Sequence, residues 1–261
     1  MNNILPGTTA HTQLSLLCQG VLNMSIVEFQ AKNALSVDNV IGAKTYAALY
    51  NAILNPTQCP CVQFPSPIQK TQIVIHHTAG ADNGANVYAG WQRDNMASVA
   101  TSVVIERNGK LFKGFDESMW AHHLGTKERQ NTALNQGSIA VELTNWGAAT
   151  FKNGQYFNYL DRPLAADDLV ELKYRGFQFW QVYPAAQLAT LEKWLVLNAS
   201  RFGIPLDYQE DMWDVSPKAL NGQRGIYSHV SYRRDKVDCS PQPALVKMLQ
   251  SLKEKYSSAL T

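Results

Sequence analysis

The chain has 261 residues, of which 45% are hydrophobic and 10% aromatic, and its formal net charge is +2 at pH 7. Such a composition describes one mid-sized globular domain, or a domain with a small accessory unit, and excludes a disordered or fibrous chain. The near-neutral charge supplies no basic field for nucleic acid, and no run approaches the roughly 20 apolar residues that span a bilayer.

Met1 to Ala10 is polar and lacks a basic region followed by an apolar run, so no export signal is read there. From Gln13 to Leu54 the pattern predicts a small all-α unit. Ile26, Phe29 and Gln30 begin one amphipathic turn, and Tyr46, Leu49, Tyr50 and Ile53 share one side of a second, over Thr45 to Ile53. Leu35 to Gly42 joins them as a turn-rich connection in which Asn39 and Gly42 are residues that tolerate left-handed backbone conformations.

Asn55 to Ile68 carries Pro56, Pro60, Pro65 and Pro67 with little periodicity, which predicts an extended spacer and a domain boundary. The expected division is a helical unit over 1–55, a Pro-rich linker over 56–70 and a larger domain over 71–261. In that domain, short β-branched runs at Ile73–Ile75, Ser102–Ile105 and Ser138–Leu143 alternate with helical patterns at Ala185–Phe202 and Pro243–Leu252. The fold class expected is α/β, a mixed central β-sheet flanked by helices, with the all-α unit added at the N-terminus. Asn158 to Tyr183 is rich in Tyr, Phe and Trp, and is read either as an insertion over a cleft or as a hydrophobic flap on the body.

Four cysteines are too few for a disulfide framework at this length, and Cys59 and Cys61 are too close to bridge without strain, so free thiols are expected. Five of the six histidines fall in His76-His77, His122-His123 and His229. Side chains alternate along a strand, so only one of His76 and His77 can face a common ligand. The stretch from Ser228 to Pro241 then places His229, Lys236, Asp238 and Cys239 in one loop. Zinc takes nitrogen, oxygen and sulfur donors, and a catalytic site uses three protein ligands with one position open. His76, His229 and one of Asp238 or Cys239 would complete one such site.

Two resemblances organise these residues. Val27-Glu28-Phe29-Gln30, Leu35 to Gly42 and Lys44 to Leu49 resemble the peptidoglycan-binding type 1 module, with Asn39 where that family has glycine. Val74 to Gly80, Ser102 to Phe112, Trp120 to Gly125, Ser138 to Gly147 and the His229–Pro241 stretch resemble, in order, the motifs of the type 2 N-acetylmuramoyl-L-alanine amidases and their relatives, the phage-lysozyme-type amidases and peptidoglycan recognition proteins. The likeness covers roughly Thr71 to Leu249. It implies a single zinc ion on His76, His229 and Asp238, with Cys239 the alternative third ligand. It further implies Glu142 and Lys236 as catalytic groups, and His123, Asn145 and Trp146 at the substrate. Peptidoglycan is the implied partner, cut by a monomer between the lactyl group and the stem peptide. The missing export signal leads to the expectation of an endolysin-like enzyme, made in the cytoplasm and reaching the wall by lysis or a secretion machine. A binding-only recognition protein and a cytosolic recycling amidase are the competing readings.

Overall fold

The computed structural model describes residues 1–93, 99–127 and 130–257. The chain begins with three helices, α1 (Thr9–Leu22), α2 (Ile26–Lys32) and α3 (Ala43–Leu54). Thr8 caps α1 by accepting from the His11 N–H. Ser25 and Glu28 form a reciprocal capping box that starts α2. Gln30 is fully buried and replaces the missing backbone ladder of the following loop: its amide donates to Asp38 Oδ1 and to the Val40 carbonyl, and accepts from the Asn39 N–H. Asn39 is left-handed, at φ 58°. Gly42 is not; it is extended at φ −79° and caps α3. A Cβ there would lie 3.1 Å from Asn3 Oδ1, so close approach accounts for the glycine.

The Pro-rich stretch is extended and hydrogen-bonded to the body along its length. It contributes the short strand β1 (Thr57–Gln58), and then Cys59, Phe64 and Ile68 donate to the carbonyls of Lys113, Trp120 and Ser118. All four cysteines are free thiols.

The main sheet is built on β2 (Gln72–His77), every residue of which is buried. A strand covered on both faces reads as a continuous apolar run rather than an alternating one. After α4 (Gly84–Arg93) come β3 (Val103–Ile105), β4 (Leu111–Lys113), α5 (Asn131–Gly137) and β5 (Ser138–Leu143). The chain then builds a second sheet from β6 (Ala148–Lys152), β7 (Gln155–Phe157), β8 (Pro163–Leu164), β9 (Leu169–Tyr174) and β10 (Phe177–Gln181), in the order β8-β7-β6-β10-β9 with antiparallel pairing throughout. This is what the aromatic segment forms. Trp180 is buried, whereas Phe151, Tyr159 and Phe177 are exposed.

Helices α6 (Ala185–Phe202) and α7 (Pro217–Leu220), strand β11 (Gly225–Ser228) and α8 (Pro243–Lys255) complete the chain. The main sheet has the order β1-β4-β3-β5-β2-β11; β2 runs parallel to β5 and β11, while β3 and β4 are antiparallel, which makes the sheet mixed. One apolar core runs from α1–α3 through α6 to β2 and β5, uniting Leu14, Leu49, Leu191, Trp194, Ile75 and Val141. The expected boundary at 56–70 therefore divides the sequence and not the core. Polar bonds cross the same junction: Tyr46 Oη donates to the Leu197 carbonyl, and Ser200 Oγ to Gln13 Oε1. Buried Glu117 accepts from Tyr50 Oη at 2.5 Å, Trp194 Nε1 at 3.2 Å and Lys113 Nζ at 2.9 Å.

Candidate metal and catalytic site

Parallel strands end at the same edge, and a cleft forms beyond their C-terminal ends. Register puts His76 of β2 opposite Glu142 of β5, on the same face of the sheet. Ser228 of β11 lies opposite Ile75, so His229 follows immediately beyond the neighbouring strand end. Asp238 returns to this point because the Val230 N–H donates to its carbonyl. His76, His229 and Asp238 converge with their donor atoms all within 4.8 Å of one another. The cleft has a volume of about 330 Å³, and Glu142 and Lys236 also line it.

The protonation pattern of the histidines follows from their partners. Ser138 Oγ donates to the Leu134 carbonyl and so accepts from His123 Nε2, 2.8 Å away. His123 Nδ1 is then an acceptor, and His76 Nε2–H donates a hydrogen bond to it at 3.1 Å. His76 Nδ1 is left with its lone pair. In the same way His229 Nε2 donates to the Leu124 carbonyl at 2.8 Å, which leaves the lone pair on His229 Nδ1. These two Nδ1 atoms face each other at 3.0 Å, with Asp238 Oδ2 at 2.9 Å from His229 and 3.3 Å from His76. Two lone pairs and a carboxylate oxygen cannot satisfy one another without a cation between them. The donor set, two neutral imidazoles and one carboxylate with their far nitrogens anchored, fits a zinc ion.

Burial supports that state of charge. It holds His76 at a pKa of about 4, with the neighbouring His229 acting in the same direction. His77 is likewise lowered to about 4 by burial. Glu142 goes the other way. Burial first, and then the Asp238 charge, push its carboxyl well above the ordinary range, and its Oε2 is buried with no hydrogen-bond partner among the described residues.

The remaining candidates divide. Cys239 is fully buried in the apolar core beside Tyr183 and stands apart from the converging donors. His77 points away from His76 and bonds Tyr183 Oη at 2.8 Å; Gly147, at φ +76°, leaves it room, since a Cβ there would meet His77 Nε2 at 2.7 Å. His123 lines the cleft, but its ring is engaged by His76 and Ser138, so it acts here as a brace for His76 rather than as a free substrate group. Asn145 is not at the cleft. It is buried, its amide donates to the carbonyls of Gln181 and Val182, and its Oδ1 accepts from the Gly147 N–H, so it fixes the passage from β5 into the second sheet. Trp146 is also outside the cleft lining, packed by Tyr159 and Arg162. Trp120 stacks on Phe64 with centroids 3.9 Å apart. No described residue of the second sheet lines the cleft, so the insertion does not cover it. Trp91 and Val99–Thr101, which the motif pattern did not single out, form part of its wall.

The sequence profile of the N-acetylmuramoyl-L-alanine amidase family (Amidase_2) matches residues 66–243. No curated protein matches the chain. Among solved structures, the chain is similar to the endolysin N-acetylmuramoyl-L-alanine amidase LysCS from Clostridium intestinale, at 10% identity over 76% of this chain and 93% of that one, with a TM-score of 0.44. It is similar to the hydrolase AmiA of Staphylococcus aureus at 12% identity over 90% and 91% of the two chains, TM-score 0.44. It is similar to Drosophila peptidoglycan recognition protein SD at 13% identity over 77% and 90%, TM-score 0.39.

Proposed function

The chain belongs to the N-acetylmuramoyl-L-alanine amidase family, and from that premise we propose a zinc-dependent enzyme that hydrolyses the amide joining the muramic acid lactyl group to L-alanine in peptidoglycan. The observation that carries the zinc reading is the confrontation of two Nδ1 lone pairs and the Asp238 oxygen across 3 Å, a set that only a cation satisfies. His76, His229 and Asp238 would hold the ion, and Cys239 would not. When bound, zinc polarises the scissile carbonyl and makes a water acidic enough to attack at neutral pH.

The protein's own groups would then divide the proton and charge work. Glu142, with a buried oxygen free of partners and a raised carboxyl affinity for protons, takes the proton from the attacking water and returns it to the departing amine. Lys236 offers a fixed positive charge to the oxygen on which negative charge develops. His123 and Ser138 hold the His76 ring in the tautomer that the site requires.

The wider setting we propose is that of an endolysin: a monomer that reaches the wall after release, with the helical segment adding affinity for peptidoglycan. What supports this is the likeness of residues 27–49 to wall-binding modules. Among the described residues no helix is long and apolar enough to cross a membrane. Incubating the purified protein with isolated sacculi tests the activity. New L-alanine amino termini should appear, and a chelator should abolish them until zinc is restored. Binding without cleavage would replace this reading with a recognition protein, and cleavage confined to soluble muropeptides would replace it with a recycling enzyme.

A further inference from the structure

The geometry points to Arg175, at the tip of the inserted sheet, as a positioning residue for the cleft. Strands β9 and β10 are joined by Arg175-Gly176, with φ of 46° and 83°. Two successive left-handed residues make a tight hairpin turn for which Asn-Gly is the favoured pair. A long side chain in the left-handed region is disfavoured, so the turn by itself does not call for arginine.

The guanidinium does have specific work to do. Its Nη1 donates to the Arg234 carbonyl at 2.5 Å, its Nη2 to Asp214 Oδ1 at 2.8 Å, and its Nε to Tyr174 Oη at 3.2 Å. Tyr174 Oη in turn donates to the Trp213 carbonyl at 2.8 Å. The planar fork thus uses three donors on three separate acceptors, which an ammonium could not match.

Each acceptor leads to the site. Arg234 lies two residues before Lys236 and four before Asp238, in the loop that brings both to the cleft. Trp213 and Asp214 close a short 3-10 turn, Glu210–Trp213, whose Met212 carbonyl accepts from Ser228 Oγ and Ser231 Oγ on either side of His229. One hairpin tip therefore braces both arms that deliver His229, Lys236 and Asp238. The Arg175 side chain is 15% exposed while Asp214 is 78% exposed, so the ion pair is weak and the charge-assisted bond to the Arg234 carbonyl does most of the holding. This gives the insertion a function at the site although it does not line the cleft.

The inference rests on the reading of the cleft as an active site, and the test separates the two. Arg175→Asn keeps a residue suited to the turn and removes all three donors; Arg175→Lys keeps the charge but gathers its donors on a single nitrogen. In the metal-free proteins, amide exchange over residues 232–238 should be about tenfold or more faster in Arg175→Asn, with the amides of β9 and β10 unchanged. On sacculi, kcat should fall about 10- to 100-fold, as displacing a supporting contact does, and KM should change less than about threefold. Arg175→Lys should lie between. Unchanged loop exchange together with unchanged kcat overturns the proposal, and so does a uniform loss of protection that includes the hairpin. If the parent protein does not cleave sacculi, the reading of the site fails while the exchange measurement still decides whether Arg175 holds the loop.

Discussion

His76 Nδ1 and His229 Nδ1 lie 3.0 Å apart, each left unprotonated by a hydrogen bond made at the opposite side of its ring. The third donor to that point is Asp238, and Cys239 turns into the core. Asp238→Ala should therefore release zinc and reduce activity by more than the roughly 10- to 100-fold typical of losing an outer hydrogen-bond partner. Cys239→Ser should keep its zinc but lose about 1–3 kcal/mol of stability, because it brings a hydroxyl into an apolar core. Metal content per chain decides the matter; zinc kept in the first variant and lost from the second would reverse the assignment.

Ser138 is not itself one of the convergent donors, yet it sets the His123 tautomer and through it that of His76. Ser138→Ala should weaken zinc binding by about tenfold or more with little change in fold. Competition against a chelator of known affinity measures this, and an unchanged zinc affinity would remove the hydroxyl from the account.

Glu142 Oε2 is buried and has no hydrogen-bond partner among the described residues. Glu142→Gln should therefore leave the melting temperature no lower and the zinc content intact, while turnover falls about 100- to 10,000-fold, the usual range for a lost proton carrier. Turnover near that of the parent would rule Glu142 out of proton transfer.

The histidine spacing and the Lys236–Asp238 loop were legible in the sequence because the candidate ligands and the charged groups beside them are side chains at short, ordered intervals. Their braces were not legible. The Leu124 and Leu134 carbonyls belong to the backbone and carry no residue signature. Asn145 sits within a motif, but its partners are carbonyls at Gln181 and Val182, more than 35 positions away, which no local pattern displays. Strand β2 and helix α6 were plain from their apolar runs. Helix α1 lies mostly within the all-α unit expected from Gln13 onward, but its own face was not singled out, because it buries His11 and Gln13, which read as surface residues. The second sheet was visible only as an aromatic composition, since its strands are short and its register depends on pairing.

Lys70 is fully buried, donating from Nζ to the Gln136 carbonyl at 2.7 Å, and burial lowers its pKa from 10.5 to about 7. Between those two values the unfolded chain holds a proton that the folded chain has released. Stability should therefore rise with pH from about 7 towards 10.5, and the lysine should weaken the fold most below about 7. Denaturant unfolding at several pH values in this window should show that slope, and Lys70→Met should flatten it. Equal slopes in the two proteins would contradict the assignment.

Deleting residues 1–55 should leave a protein that aggregates or melts far below the parent, because the deletion uncovers the apolar side of α6 and strips Tyr50 from buried Glu117. Solubility and a thermal melt of the 56–261 fragment provide the measurement. A fragment as stable as the full chain would mean that the shared core contributes little.

That shared core also bears on how the enzyme would meet an extended polymer. A module on a slack tether raises the local concentration of its partner but leaves the partner's direction of approach open. Helices α1–α3 are seated on α6 by packing and by the Tyr46 and Gln13 bonds, and on Glu117 by the Tyr50 bond. Whatever grips those helices consequently sets both the distance and the heading of the cleft, so that anchorage and aim are a single mechanical event.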